Sequence, residues 1–363
     1  MEGSAFSRLQ EIKMPLKMLS IVLLTAAIAF GATASMVDGK ADLKSAGPLA
    51  FGPDGILFIG DSAAGALFAI ETGDTAATKT APAVQVKGVN EKVAAMLGTS
   101  ADQILINDVK TNPVSKNIYL SVSRGRGPDA TPVILRLDFT GKITQVSLDK
   151  VMHSSLVLPN AKTGERVDTI TDIAYVKGNV IVAGLSNEEF ASNLRVVPFP
   201  FQAADKGAGI EIFHGSHGRY ETASPVRTFI PYTINNQEYI LASYTCTPLV
   251  KIPISELKPG SKVKGTTIAE LGAGNRPLDM VAYHKDGHDY ILMANSSRGV
   301  MKLQADHLEK YQGITMPTDI TGVPYQSLAD LKGVKHLEKY DDSMALVLAD
   351  AGGSIDLRSI PLP

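Results

Sequence analysis

From residue 36 onward, apolar runs of strand length alternate with short clusters of Gly, Pro, Asn and Asp. The plainest instance is residues 48–71, PLAFGPDGILFIGDSAAGALFAIE. It reads as an apolar strand over 48–51, a tight turn at Gly52-Pro53-Asp54-Gly55, a strand over 56–59, a polar loop over 61–65 and a third strand over 66–70. Gly and Pro supply the turn backbone angles, and the runs between them are too short for helices.

The unit recurs loosely. Successive first strands begin near Pro48, Ile104, Ile170, Val226, Leu278 and Val334, about 50–65 residues apart. This spacing predicts an all-β fold, a β-propeller of six four-stranded blades, because each blade needs a neighbour to bury its faces. A seventh blade follows if residues 305–330 hide a degenerate copy, and a two-sheet β structure is the rival architecture. Long amphipathic segments between strands are missing, which weighs against a parallel α/β fold. Fourth strands are expected at 83–86 for the first unit, 141–148 for the second, 210–213 for the third and 263–271 for the fourth. Residues 90–98 predict a short helix with Asn90 as cap and Gly98 as stop. Residues 151–167 read as loop. The last unit lacks a fourth strand, and residues 37–44 are expected to supply it and close the ring.

Composition narrows the function classes. Net charge is −2, so no bulk field draws the chain to nucleic acid or to an anionic membrane. Trp is absent and aromatics are 6%, against a sugar-stacking platform. Cys246 is the only cysteine, which excludes an intrachain disulfide and multi-cysteine metal sites. Lys13 and Lys17 precede an apolar run over 18–30, and Ala32-Thr33-Ala34 forms a small-x-small cleavage site. Residues 1–34 therefore read as a signal peptide, with Met14 as an alternative true start, and residues 35–363 as one propeller domain. The alternative is a retained anchor, but the run is short for a membrane span. A periplasmic or secreted location follows, with no stable membrane span after cleavage.

In a propeller, loops joining second to third strands and loops joining blades emerge on one face. That geometry gathers Asp61, Arg124, Arg126, Asn187, Glu188, Glu189, Cys246, Asn295 and Arg298 with His214, His217, Arg219, Tyr220, Glu221, Asn275 and Arg276. The opposite face receives the generic turns GPDG, KGN, NNQ and KDG. At the axis, Asp108, Asp172 and Asp279 stand near the start of three first strands, with Arg227 and His336 at similar positions in two others. The three carboxylates are candidate Ca²⁺ ligands; alternatively they pair with Arg227 or Arg276, or cap backbone turns. His214-Gly215-Ser216-His217 is the sharpest local motif. Its imidazoles suit Zn²⁺ or Cu²⁺ with Glu221 completing the shell, or a general base, or plain loop hydrogen bonding. As cofactor, a divalent cation is expected to be Ca²⁺ rather than Zn²⁺. Cys246 reads as a buried thiol. Arg124, Arg126, Arg276 and Arg298 suit an anionic ligand. No haem-attachment motif, phosphate-binding glycine loop or dinucleotide fingerprint is present.

The strings GPLAFGPDGILFIGD and ILINDVKTNPVSKNIYLSV resemble the NHL and gluconolactonase-like six-bladed propellers. SNEEF, HGSHGRYET, YTCTPLVK and GNRPLDM are similar to segments of secreted bacterial propeller proteins. The leading functional reading is a binding or scaffold propeller that recognises a small polar ligand or a protein partner, not nucleic acid, on its motif-rich face. The resemblance implies a metal-dependent alternative, a lactonase or esterase holding its cation with Asp108, Asp172, Asp279 and Asn187 while His214 or His217 activates water. A propeller oxidoreductase with a quinone cofactor is a third reading, weakened by the missing Trp.

Overall fold

The computed structural model describes residue 1 and residues 35–78, 82–162, 164 and 168–363. The expected signal peptide over 1–34 lies outside the described residues, apart from residue 1. Among the described residues no helix is long and apolar enough to cross a membrane.

The described strands form six antiparallel blades, as the repeat spacing predicts. Inner to third strands are Leu49–Phe51, Ile56–Asp61 and Ala66–Glu71 in blade I, and Ile104–Thr111, Ile118–Arg124 and Thr131–Leu137 in blade II. Blade III has Asp172–Val176, Asn179–Leu185 and Ser192–Pro198, and blade IV has Thr228–Ile234, Gln237–Ser243 and Pro248–Pro253. Blade V has Pro277–Lys285, His288–Asn295 and Gly299–Gln304, and blade VI has Val334–Lys339, Met344–Asp350 and Ile355–Pro361. Second strands such as ILFIGD and NVIVAGL are apolar almost throughout because neighbouring blades cover both of their faces.

The outer strands depart from sequence expectation. Residues 85–86 do not complete blade I; Gln85–Val86 pairs with Ile355–Pro361 and completes blade VI. Blade I is completed by Val151–Val157, within the stretch expected to be loop. Residues 37–44 do not close the ring: Val37–Gly39 pairs outside Val151–Val157 on blade I. The outer strands of blades I and VI bury little, so their hydrophobic alternation is weak and cannot assign them to a blade. Ile143–Gln145, Ala208–His214 and Thr266–Leu271 do complete blades II, III and IV. Residues 305–330 hold no seventh blade, since Tyr325–Leu328 completes blade V and Ile320–Gly322 extends blade IV.

These crossings make the ring non-sequential. Blade II lies between blades VI and I, so the order around the axis is I, III, IV, V, VI, II. One apolar cluster fills each interface. Val109 and Leu120 pack with Leu346 and Leu348 between blades II and VI. Leu49 and Leu57 meet Tyr119 and Ile134 between I and II. Phe58 meets Phe199 edge-on, with ring centroids 4.8 Å apart, between I and III. The helix Val89–Leu97 ends at Gly98 in the left-handed conformation, as expected. Its start is displaced: Gly88 is the cap residue, and Asn90 lies inside the helix. The Asn90 amide donates to the Gly353 carbonyl at 3.0 Å and accepts from the Ile355 N–H at 2.8 Å, pinning the helix to blade VI.

Candidate functional site

The axis is built from one device used in three blades. Asp108 accepts the N–H of Val109 at 2.7 Å with one oxygen and that of Leu49, in blade I, at 2.7 Å with the other. Asp172 joins Ile173 to Phe229 of blade IV, and Asp279 joins Met280 to Leu337 of blade VI. Each carboxylate thus stitches two inner strands, so the six blades are clamped as three pairs. Bulges before Asp108, Asp279 and His336 turn Asn107, Leu278 and Lys335 toward the axial cavity.

Between these clamps lie further charges beyond the aspartates and His336. Lys110 follows Asp108 on the same strand face and Glu338 follows His336; their side chains meet at 3.3 Å. His336 Nδ1 is 3.8 Å from Asp108 and 3.7 Å from Asp279. The ligating atoms of Asp108, Asp279 and His336 lie within 4.8 Å of one another, a group that does not include Asp172. Burial pushes the carboxyl of Asp172 up to about 7 and that of Glu338 to about 7, with Lys110 opposing both. Burial likewise raises Asp108. On its own, burial would lower His336, but Asp279 and Asp108 outweigh it and leave the imidazole raised.

Above this floor opens a cavity of about 820 Å³. Arg126, Arg227, Arg276 and Lys335 stand on its walls, and Asp108, Asp172, Asp279 and His336 line its base. A second cavity of about 470 Å³ reaches Lys110 and Glu338 from the other end of the axis. Arg227 pairs with Asp168 and donates to Thr245 Oγ1 at 3.2 Å, not to the clamping carboxylates. Arg126 donates to the carbonyls of Asp102 and Ile104. The Arg276 guanidinium makes no hydrogen bond or ion pair among the described residues. Partial burial and then the charge of Arg227 lower its pKa.

The remaining predicted residues fall away from this cavity. Arg124 is exposed at the end of its strand, outside the cavity lining. Asn187 donates to the Ala161 carbonyl; Glu188 accepts from Asn160 and pairs with Lys206; Glu189 pairs with Lys262. Asn275 and Asn295 are buried and bonded to each other at 3.0 Å, and Arg298 donates to the Ala273 carbonyl. Asp61 is fully buried and accepts from the Lys44 and Ser45 backbone N–H groups, the Ser45 hydroxyl and the Ala64 N–H. Asp61→Ala strands these donors and is expected to cost about 3 kcal/mol in urea unfolding, with the axial cavity unchanged.

The histidine motif forms a separate cluster at the end of blade III. Glu221 accepts from His214 Nδ1 at 3.0 Å and from His217 Nδ1 at 2.7 Å, with Ser224 Oγ and Arg219 also donating to it. Burial would raise Glu221, but these hydrogen bonds hold it down at about 2. Burial lowers His214, with Glu221 opposing. Tyr220 stacks edge-on against Phe213 and lies under Lys264. Beneath the turn, Glu270 accepts from the Gly215 N–H, and burial pushes its carboxyl up to about 7. Cys246 stands in the expected loop after the second strand of blade IV, but its thiol, expected to be buried, is partly exposed there.

Comparison with known proteins leaves the chemistry to these residues. No protein-family model matches the chain, and no curated protein matches it. Among solved structures, a putative oxidoreductase (glucose dehydrogenase) from Thermus thermophilus is 13% identical, covering 90% of this chain and 100% of that one, with a TM-score of 0.38. The PQQ-bound aldose sugar dehydrogenase of Streptomyces coelicolor is 10% identical over 90% and 98%, with a TM-score of 0.36. Streptogramin B lyase is 8% identical over 90% and 97%, with a TM-score of 0.35.

Proposed function

We propose that this is an exported binding propeller whose axial cavity takes a small polar ligand bearing a carboxylate or phosphate. The observation that carries the reading is the Arg276 guanidinium, unpaired among the described residues, at a cavity also walled by Arg126, Arg227 and Lys335. A cavity of about 820 Å³ has the size of small-molecule sites. Four cations on its walls favour an anionic group, and a planar guanidinium without a protein partner suits a forked contact to one. Beneath them, a protonated Asp172 can donate a hydrogen bond, while Asp108, Asp279 and His336 offer further polar contacts to ligand hydroxyls. The anion would dock at the rim and the hydroxylated portion would point down the axis.

A calorimetric panel of hydroxycarboxylates and sugar phosphates tests this. At least one compound is expected to bind with one site per chain and to weaken with salt. Arg276→Ala is expected to reduce its affinity about 10- to 100-fold, the worth of a hydrogen bond to a charged group, without changing the melting curve. Binding that survives Arg276→Ala and Lys335→Ala unchanged, or a panel with no binder, would sink the reading.

A further inference from the structure

The histidine cluster carries a site of its own, independent of the axial cavity. His214 is 1% exposed, and its Nε2 has no hydrogen-bond partner among the described residues. A buried ring nitrogen with a free lone pair costs stability unless something occupies it. Glu221 decides which nitrogen that is. One carboxylate accepts from the Nδ1 of both imidazoles, so both Nε2 atoms are left as acceptors on the same side. The ring centroids are 3.9 Å apart.

A third donor comes from the neighbouring blade. Cys246 Sγ lies 3.9 Å from His217 Nε2, and the ligating atoms of His214, His217 and Cys246 are all within 4.8 Å of one another. Tetrahedral zinc bond lengths put N and S ligands about 3.3–3.6 Å apart, so a contraction of at most about 1.5 Å closes the set. The backbone aims the thiol at some cost. Cys246 and Thr247 both hold positive φ, 65° and 56°, a conformation unfavourable for residues with a Cβ. Cys246 N–H donates to the Asn275 carbonyl at 2.6 Å, and Thr247 Oγ1 donates to that of Gly272 at 3.0 Å. On the histidine side, a Cβ on Gly215 would come within 2.8 Å of Glu270, so the turn sits close upon that carboxyl.

We propose that His214 Nε2, His217 Nε2 and Cys246 Sγ form a three-ligand site for a thiophilic divalent transition ion, Zn²⁺, with Glu221 as the outer carboxylate that orients both imidazoles. Two imidazoles and a thiolate suit a borderline-soft ion rather than Ca²⁺ or Mg²⁺, which take oxygen. A carboxylate behind each ligating histidine is the usual outer-shell partner of zinc sites. His217 and Cys246 remain partly exposed, which leaves a fourth position open to water.

Chelator-treated protein titrated with Co²⁺ reads the thiolate directly. A near-ultraviolet thiolate-to-cobalt band is expected to saturate at about one equivalent and to vanish when Zn²⁺ is added, as one metal replaces the other in the same site. Cys246→Ser should abolish the band, and Zn²⁺ affinity by calorimetry should fall at least about 10-fold in Cys246→Ser and His217→Ala. Glu221→Gln should weaken Zn²⁺ about 10- to 100-fold, and His288→Ala, at an exposed ion pair with Asp306 outside the cluster, should leave it unchanged. His217 and Cys246 lie at the surface, so far-ultraviolet circular dichroism of their variants should match the parent. The proposal is overturned if the folded parent gives no cobalt band, or if Zn²⁺ binds the parent and both surface variants equally.

Discussion

Thermal stability is expected to be highest near pH 5 and to fall by about 5–10 °C in melting temperature by pH 8. Asp172, raised from the ordinary 3.8 to about 7, and Glu338, raised from 4.5 to about 7, bind protons more tightly folded than unfolded. Their contribution is fully present below the unfolded values and is lost as pH rises through 7. His336, also raised, loses its contribution in the same direction, and so does Glu270 beneath the histidine turn. A carboxyl raised from 3.8 to about 7 corresponds to about 4 kcal/mol for one isolated group. The axial groups sense Lys110, Asp108, Asp279 and one another, so their joint effect is smaller than the sum. Glu221 and His214 run the other way, as do the lowered surface carboxylates of Asp42, Asp102, Asp138, Asp306, Glu309 and Asp342. Glu221, held at about 2, loses its contribution only as pH falls below 4.5, which sets the acid limb. His214, lowered by burial, favours higher pH but is a single group. Melting curves from pH 4 to 8 should show the alkaline fall in the parent and a flatter profile in Asp172→Asn/Glu338→Gln. A parent whose melting temperature rises steadily from pH 5 to 8 would refute the assignment.

Gly184→Ala is expected to cost about 3 kcal/mol or more and to lower the melting temperature by about 5–10 °C. Gly184 lies in the second strand of blade III, where an added Cβ would stand 2.0 Å from the Thr169 carbonyl oxygen and 2.7 Å from its carbon. These neighbours are main-chain atoms, so no side-chain rotation relieves the clash. The segment that must move carries the Asp168 carbonyl, which accepts from Leu185 N–H, and leads directly into the clamp at Asp172. Asp168 is also the partner of Arg227. The substitution should therefore weaken any ligand of the axial cavity as well as the fold. Gly313→Ala is the control. Gly313 is exposed, and the nearest atom to its added Cβ is the Thr266 methyl at 3.4 Å, so its melting curve should match the parent. Equal losses in both variants would show that the close approach at Gly184 is not what matters.

The second and third strands are legible because burial on both faces writes them as apolar runs between Gly- and Asn-rich turns. Which outer strand joins which blade is not legible, since VMHSSLV and QV carry few buried positions and no clear alternation. The axial aspartates can be found from their position at strand starts. Lys110 and Glu338 carry a readable signal as well: each stands two residues beyond a polar axial residue, on the same strand face. Their pairing requires the ring order, which places blade II beside blade VI. The histidines declare themselves in sequence. Cys246 as their partner does not, because it is brought to them by the packing of one blade on the next rather than by any spacing along the chain.

The order of blades also governs when the molecule can be finished. Residues 49–71 emerge first, yet their sheet waits for residues 151–157, and Gln85–Val86 waits for Ile355–Pro361 at the very end. Assembly cannot advance strictly blade by blade from the N-terminus, because blade I lacks an edge that is synthesised only after all four strands of blade II. Contacts of such long sequence separation make for slow folding and leave strand edges unprotected while it proceeds. The last seven-residue strand, Ile355–Pro361, therefore acts as the latch of the ring. A chain ending before Ile355 would leave Gln85–Val86 without a strand partner and remove one of the neighbours of the helix after it, with unsealed edges open to other chains.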